Sequence, residues 1–184
     1  MIRPTRETLI DGRKIQVFDN LLPGNVLNTL IRRFYNAAFK KTEVGRPDTA
    51  NFPHWSHELE ASNLSSEDFW KHTVDGVKHF NSKNKWKVYR AYVNYSAFGE
   101  CMFSHVDAKS RELTCLWYLV PEWDIDWGGE TIFYDHDDEV SFACAPKAGR
   151  LVVFDSQIKH SGRSPQKICF HSRFTLAIKL EPLT

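Results

Sequence analysis

From Trp86 onward, the sequence consists of short runs rich in Val, Tyr, Phe, Ile and Thr that are separated by Gly, Pro and Asp. Such runs are typical of β-strands divided by turns. Strands are predicted near residues 87–95, 101–106, 112–120, 131–134, 139–145, 150–155, 158–161 and 172–180. Eight short strands in one stretch of chain favour a barrel or a jelly roll of two packed sheets.

The preceding residues show a different, helical pattern. Apolar residues recur at spacings of three and four between Leu21 and Tyr35, which indicates an amphipathic helix. A second helix is predicted from about Ser65 to Phe80. Residues 41–66, between the two, contain two prolines and a glycine and show no sustained period. We expect a long loop there, and we expect it to act as a lid over the substrate.

The chain of 184 residues is about the size of one domain. The sequence therefore predicts a single domain over residues 1–184 with a mainly β fold. Supporting N-terminal helices would occupy about residues 1–85, and the barrel core about residues 86–181.

The charge balance offers no general attraction for nucleic acid or an anionic membrane, since the formal net charge is +1. No stretch approaches the ~20 apolar residues of a membrane span, and the N-terminus lacks the apolar core of a signal peptide. We expect a cytoplasmic protein without a nucleic-acid or membrane partner, and its oligomeric state stays open. The four cysteines form no CxxC pair, which argues against a zinc knuckle.

The clearest candidate metal site begins at His105-Val106-Asp107, because side chains two residues apart on a strand project to the same face. The chain also contains His136-Asp137-Asp138, but this motif lies in an acidic stretch that is typical of a solvated turn. His160 follows the apolar run Leu151–Phe154, far enough from Asp107 for the chain to cross both sheets and return. Two imidazoles and one carboxylate form the facial triad of non-haem Fe(II) oxygenases and leave three coordination positions open.

Two further groups of residues invite a functional interpretation. Trp123 and Trp127 precede a double glycine, and they are expected either to form a wall of the substrate pocket or to anchor a loop. His54 and His57 flank Trp55 without a carboxylate at a fixed spacing, so we expect them to be surface or lid residues.

A set of motifs extends well beyond the triad. In chain order, they are Asn94-Tyr95, His105-Val106-Asp107, Leu113–Leu119, Gly128-Gly129-Glu130-Thr131 with Phe133, Gly149–Phe154, His160 and Arg173–Leu176. Through these residues the chain resembles the prolyl-hydroxylase-like branch of the Fe(II)/2-oxoglutarate oxygenases over about residues 87–180. The fold that this resemblance implies is a double-stranded β-helix, a cupin-like jelly roll.

The resemblance implies roles for individual residues. His105, Asp107 and His160 would be the catalytic iron ligands, and 2-oxoglutarate would lie between Tyr95, Tyr118, Thr175 and Arg173. The interval from His160 to Arg173 is longer than usual in the family, so Arg163 could compete for the co-substrate carboxylate. Arg173 is preferred because Phe174, Leu176, Ile178 and Leu180 would form one apolar face of its strand, which places Arg173 and Thr175 on the face toward the barrel interior.

The activity that the resemblance implies is a dioxygenase reaction. The cofactors would be Fe(II), 2-oxoglutarate as co-substrate and O2, with ascorbate as an optional stimulant. The expected reaction is hydroxylation of an unactivated C–H bond of a small molecule, an amino acid or a natural-product intermediate, with release of succinate and CO2; desaturation or cyclisation could follow from the same chemistry. The alternatives are a peptidyl prolyl-type hydroxylase, a cupin-like metal-binding isomerase or non-catalytic binding protein, and a lectin-like jelly roll.

Overall fold

The computed structural model describes residues 2–183. Two helices and eleven strands occur in this part of the chain, together with three short 3-10 helices. In chain order the helices and strands are β1 (Arg6–Ile10), β2 (Arg13–Phe18), α1 (Gly24–Tyr35), β3 (Lys40–Glu43), β4 (His54–Leu59), α2 (Trp70–Phe80), β5 (Trp86–Ser96), β6 (Leu113–Tyr118), β7 (Thr131–Tyr134), β8 (Val140–Cys144), β9 (Leu151–Asp155), β10 (His160–Gly162) and β11 (Arg173–Pro182). The 3-10 helices are Pro47–Thr49, Ala61–Ser66 and Ile125–Trp127.

The strands form two antiparallel sheets. The major sheet has eight strands in the order β1-β2-β9-β6-β11-β5-β4-β3, and the minor sheet has three in the order β10-β7-β8. An apolar cluster joins the two sheets, and it includes Leu116, Tyr118, Phe133, Val152, Phe154 and Ala177. The mainly β, two-layered jelly roll predicted from the sequence is therefore confirmed.

The outer face of the major sheet is covered by the two helices. Leu27, Leu30 and Phe34 of α1 and Val77 and Phe80 of α2 belong to the same buried cluster as the outward side chains of the sheet. Gly76 allows α2 to approach β9 closely, since a Cβ atom at this position would lie 2.7 Å from Leu151 Cδ2. Within residues 2–183, no helix has the length and apolar character needed to cross a bilayer.

Strand β11 lies at the centre of the major sheet, paired with β5 on one side and β6 on the other. Its even-numbered apolar residues Phe174, Leu176, Ile178 and Leu180 all pack on the helical side, as the alternation predicts. Arg173 and Thr175 therefore face the interior between the sheets, together with Lys179. The same alternation holds in β6, where Thr114 and Leu116 face inward and Cys115 and Trp117 face the helices.

Three expectations from the sequence are wrong. The first 85 residues contribute four strands as well as helices, since β2 pairs with β9 and β4 pairs with β5. Residues 41–66 are not one long loop, because β4 and two 3-10 helices occupy most of them. The expected strand at 101–106 is reduced to a single bridge, in which His105 pairs with His160.

Candidate active site

The three residues of the predicted triad lie together at one end of the interior. His105 and His160 exchange two backbone hydrogen bonds of 2.9 Å, which fixes the chain before Asp107 to the start of β10. The backbone N–H of Asp107 donates to Ser156 O at 3.0 Å, just beyond β9. Residues distant in sequence are thus joined through the backbone at the site itself.

The side chains of the triad converge on one point. His105 Nε2 lies 3.3 Å from Asp107 Oδ1, and His160 Nε2 lies 3.6 Å from Asp107 Oδ2. One nitrogen or oxygen of each residue lies within 4.8 Å of the others, a spacing at which a single cation can contact all three. The carboxylate is 3% exposed, whereas the His105 ring is 23% exposed and gives the site an open side.

Both imidazoles present the same nitrogen to this point. His105 Nδ1 is 3.0 Å from Phe103 O and His160 Nδ1 is 2.9 Å from Ile158 O, so each Nδ1 carries the proton that it donates to a carbonyl. Nε2 is then the free lone pair in both rings. Burial lowers the pKa of His160 to about 4, against the opposing effect of Asp107, so that its ring is neutral near pH 7. Two imidazole nitrogens and one carboxylate suit Fe(II), and the residues present fit this metal.

Asp107 is held by two neighbours from the inner face of the major sheet. Thr114 Oγ1 donates to Asp107 Oδ2 at 2.6 Å, and Lys179 Nζ contacts the same oxygen. Burial acts to raise the pKa of Asp107, but the ammonium group of Lys179, together with the interactions with His160 and His105, outweighs it and holds that pKa well below its usual range. The carboxyl group is therefore ionised and available as a ligand.

The second motif, at His136, lies elsewhere. His136 is exposed and pairs with Asp11 at 3.0 Å and with Asp137 at 3.4 Å. It is on the turn between β7 and β8, as expected for a solvated hairpin residue. His54, in contrast, is buried on β4 and lines the cavity outside the triad, so the surface alternative is wrong for it and the lid alternative stays a prediction.

An inner cavity of about 40 Å³ leads from the triad into the space between the sheets. Arg173 closes its far end with a side chain that is 1% exposed. The guanidinium donates to Gly129 O at 2.6 Å and to Thr131 Oγ1 at 3.0 Å, and it lies 5.3 Å from the centre of the Tyr118 ring. None of the described residues provides a carboxylate within ion-pair distance of Arg173. Arg163, the alternative cation, is exposed.

The other expected co-substrate residues divide into two groups. Thr175 lines the inner cavity, and Tyr118 is buried behind it with its hydroxyl bonded to Thr131 Oγ1 at 2.6 Å. Tyr95 lies on the opposite face of β5, among Phe39 and Phe174, and its assignment to the cavity is corrected. The register of β5 with β11 places Asn94 opposite Thr175, so Asn94 is the residue that lines the cavity.

Two functional candidates were missed from the sequence, Lys179 and Asn94. Both line the inner cavity and also the outer one described below. Asn94 Oδ1 is buried and accepts no hydrogen bond from any group in residues 2–183. The signal was present for Lys179, since the alternation that places Arg173 and Thr175 inside extends to it.

The outer cavity, of about 240 Å³, lies between the triad and solvent. The connection between β3 and β4 forms one wall, where Gly45 approaches His105 so closely that a Cβ atom would lie 3.3 Å from Nδ1. Trp123 and Trp127 line neither cavity. Trp123 Nε1 donates to Gly128 O at 2.8 Å and the two rings meet at 5.5 Å, which supports the loop-anchor alternative.

Comparisons with known proteins agree with this geometry. A sequence profile of the 2OG-Fe(II) oxygenase superfamily matches residues 90–178. No curated protein matches the sequence. Solved structures with a similar fold include a prolyl-4-hydroxylase from Pseudomonas putida, which has a TM-score of 0.65 and 16% identity, with 92% of each chain covered.

Two other similar structures differ in what they hold. A prolyl hydroxylase from Trichoplax adhaerens, in complex with a hypoxia inducible factor peptide fragment, has a TM-score of 0.65 and 18% identity, with 90% of this chain and 82% of that one covered. HygX from Streptomyces hygroscopicus, with nickel, 2-oxoglutarate and hygromycin B bound, has a TM-score of 0.65 and 10% identity over 91% and 82% of the chains. The superfamily match includes the three triad residues and Arg173. Residues 90–178 thus match the 2OG-Fe(II) oxygenase superfamily, and the protein is an Fe(II)- and 2-oxoglutarate-dependent dioxygenase with the jelly-roll fold shared by prolyl hydroxylases.

Proposed function

We propose that the protein hydroxylates an unactivated C–H bond of a small molecule, an amino acid or a natural-product intermediate, with release of succinate and CO2. His105, Asp107 and His160 hold the iron, and Arg173 holds the distal carboxylate of 2-oxoglutarate. The observation that carries the proposal is the buried Arg173 guanidinium, which has no carboxylate partner among residues 2–183 and closes the cavity that begins at the triad. A buried cation of this kind needs an anion, and a planar guanidinium can receive a carboxylate through two parallel hydrogen bonds.

The residues of the site each contribute a defined part. His105 and His160 present Nε2, and Asp107 presents an ionised oxygen, so three protein ligands leave three positions for the co-substrate and dioxygen. Bound Fe(II), with 2-oxoglutarate and dioxygen, supplies the oxidation of the C–H bond, and the co-substrate leaves as succinate and CO2. Arg173 orients the co-substrate toward the metal. Leu116, Phe154 and Ala177 supply the apolar part of the inner-cavity wall between its charged ends.

The size of the outer cavity favours a small molecule. Its volume of about 240 Å³ is below the range of ~300–1,000 Å³ that is common for drug-sized ligands. A peptidyl hydroxylase is the second candidate, because the fold is shared with the two prolyl hydroxylases named above. A succinate-release screen with Fe(II) and 2-oxoglutarate over amino acids, metabolites and short peptides distinguishes them, and a cupin-like isomerase or a sugar-binding jelly roll would release no succinate.

The co-substrate site can be tested without knowing the substrate. Arg173→Met is expected to weaken 2-oxoglutarate binding by about 10- to 100-fold, since a charge-assisted hydrogen bond contributes ~1.5–3 kcal/mol and each 1.4 kcal/mol is a factor of ten. Arg173→Lys should recover part of the loss, because it keeps the charge and loses the planar geometry. The measurement is an anaerobic titration of the Fe(II) protein with 2-oxoglutarate, followed by the metal-to-ligand absorption band.

Arg163→Met is the matched control and should leave the 2-oxoglutarate affinity unchanged. If Arg163→Met is the variant that loses affinity, Arg173 is not the co-substrate residue. If the unmodified protein shows neither the absorption band nor succinate release with any compound, the dioxygenase function fails as a whole.

A further inference from the structure

On one side of the outer cavity, the carboxylates outnumber the cations that pair with them. On the solvent side, Arg90 binds Glu43 through two hydrogen bonds of 2.6 and 3.0 Å, and it also binds Glu58 at 2.5 Å. One cation is thus shared by two carboxylates. The Glu43 side chain is 17% exposed, whereas that of Glu58 is 55% exposed. Arg90 therefore neutralises the two carboxylates only in part, and of the two Glu43 lines the cavity while Glu58 lies outside its wall.

The metal side of the same cavity carries the opposite charge. The Lys179 side chain is 7% exposed, and its ammonium group contacts Asp107 Oδ2 and lies 3.3 Å from Thr114 Oγ1. Within residues 2–183, Asp107 is the one carboxylate in ion-pair contact with it. Lys179 also lines the inner cavity, so it lies between the co-substrate and the open space for the substrate.

Binding of the metal and 2-oxoglutarate would leave the ammonium group of Lys179 without a carboxylate to neutralise it. A divalent cation takes up the charge of Asp107, and the two carboxylates of 2-oxoglutarate are matched by the remaining charge of the metal and by Arg173. The loaded site is then neutral without Lys179, and its ammonium group is the surplus charge. A buried ammonium without an anion is unfavourable, so a ligand that supplies an anion here binds more tightly.

We propose that the substrate is a small zwitterion of the amino-acid type, with its carboxylate bound by Lys179 and its ammonium group directed toward Glu43. This inference rests on the proposed function, and it names the substrate class of the same site. Tyr92 forms the floor between the two charged ends, since its ring lies 4.2 Å from the Arg90 guanidinium carbon and 5.8 Å from Lys179 Nζ. Asn94 Oδ1 offers an acceptor on the same wall.

Calorimetric titration of the protein loaded with Ni(II) and 2-oxoglutarate tests the proposal by binding alone. The probes are the twenty standard L-amino acids, and each one that binds is compared with its decarboxylated amine and its N-acetyl derivative. Loss of the carboxylate should weaken binding by about 10- to 100-fold, as expected for a charge-assisted hydrogen bond. Acetylation should have a smaller effect, because Glu43 already has Arg90 as a partner.

Variants of Lys179 connect this preference to the residue. Lys179→Met should weaken binding of the amino acid by about 10- to 100-fold and leave binding of the decarboxylated amine nearly unchanged. Lys179→Arg should recover part of the affinity for the amino acid. Lys87→Met is the matched control, since Lys87 is an exposed lysine of β5 whose ion pair with Glu181 is at the surface. It should bind the amino acid like the unmodified protein.

The anaerobic 2-oxoglutarate titration separates this inference from the proposed function. Normal 2-oxoglutarate binding by Lys179→Met together with loss of the amino acid supports the proposal. If Lys179→Met no longer binds 2-oxoglutarate but still binds the amino acid, Lys179 binds the co-substrate and the inference is overturned. The dioxygenase function then stands. Absence of binding by the whole panel, or equal affinity for an amino acid and its amine, also overturns it.

Discussion

Each candidate histidine ligand has one ring nitrogen engaged by the carbonyl two residues before it, Phe103 O for His105 and Ile158 O for His160. The two residues thus fix their own tautomers through local backbone geometry, and no second side chain is required. The carboxylate is held differently, by side chains of β6 and β11. Changes in those strands therefore affect the site through Asp107 rather than through the histidines.

Loss of any one ligand is expected to abolish turnover and to weaken metal binding. Losing a group that only supports a ligand typically reduces metal affinity by 10- to 100-fold, so His105→Ala, Asp107→Ala and His160→Ala should each reduce it by more than about 100-fold. His136→Ala and Asp138→Ala should bind metal normally. Co(II) titration followed by absorption measures this directly, and equal damage from His136→Ala and His105→Ala would move the metal site to the β7–β8 turn.

The neighbouring residues Asn94 and Tyr95 should behave in opposite ways. Asn94 lines both cavities, and its replacement by Leu removes a polar group from the wall beside Thr175. Asn94→Leu is expected to weaken 2-oxoglutarate or substrate binding by about tenfold, the equivalent of one hydrogen bond. Tyr95→Phe removes a hydroxyl on the helical face and should change neither constant. Loss of 2-oxoglutarate affinity in Tyr95→Phe alone would restore the assignment made from the motif.

At the scale of elements, the close approach of α2 to β9 depends on one glycine. Gly76→Ala places a methyl group 2.7 Å from Leu151 Cδ2, with Val153 and Phe18 at 3.6 and 3.7 Å behind it. Overpacking of this kind costs about 1–3 kcal/mol, which exceeds the ~0.5–1 kcal/mol that alanine contributes in a helix. The free energy of unfolding should fall, as measured by urea denaturation. Gly24→Ala in α1, where the added Cβ meets nothing within 4 Å, should not be destabilised.

The strands that the sequence predicts well are those with a clear apolar alternation. From β5 onward, all but the stretch at 101–106 are found within a few residues of their predicted bounds, because burial on one or both faces imposes the pattern. β3 and β4 were missed because Lys40–Glu43 is an entirely polar edge strand and His54–Leu59 has few apolar residues. For β1 and β2 a signal existed, since Asp11 and Gly12 both adopt positive φ between the two strands, a pairing that favours a type I′ hairpin.

In the candidate site, too, some residues could be predicted from the sequence and others could not. The triad could be named from spacing, and Arg173 from the family resemblance together with alternation. Tyr95 could not be placed, because a shift of one residue in register transfers a side chain to the other face. The charge surplus at Lys179 and Glu43 depends on which ion pairs form between β3, β4, β5 and β11. Such pairings between distant segments have no signature in a single sequence.

At the scale of the whole molecule, the N-terminal part and the barrel share both apolar clusters, and we propose that they unfold as one domain. His160 couples this stability to pH. Its pKa in the folded protein is about 4 because of burial, below the ordinary 6.5. Between these values the unfolded chain takes up a proton that the folded protein does not, so the free energy of unfolding falls as the pH decreases from about 6.5 to about 4.

Urea denaturation of the metal-free protein across this interval tests the coupling. His160→Gln should flatten the pH dependence, since the residue no longer titrates. His136→Gln should not flatten it, because exposed His136 has a raised pKa, caused first by its hydrogen bond to Asp11, and so has the opposite sign. An unchanged slope in His160→Gln would mean that other groups produce the acid sensitivity.

The central position of β11 also bears on how the protein is made. During translation β1 to β10 leave the ribosome before β11 does, and without it the major sheet consists of two unconnected parts, β1-β2-β9-β6 and β5-β4-β3. The edges of β6 and β5 therefore have no partner strand until Arg173–Pro182 has left the ribosome and inserted between them. Arg173 and Lys179 arrive on that same strand, so the joining of the two half-sheets and the delivery of both interior cations are one event in folding.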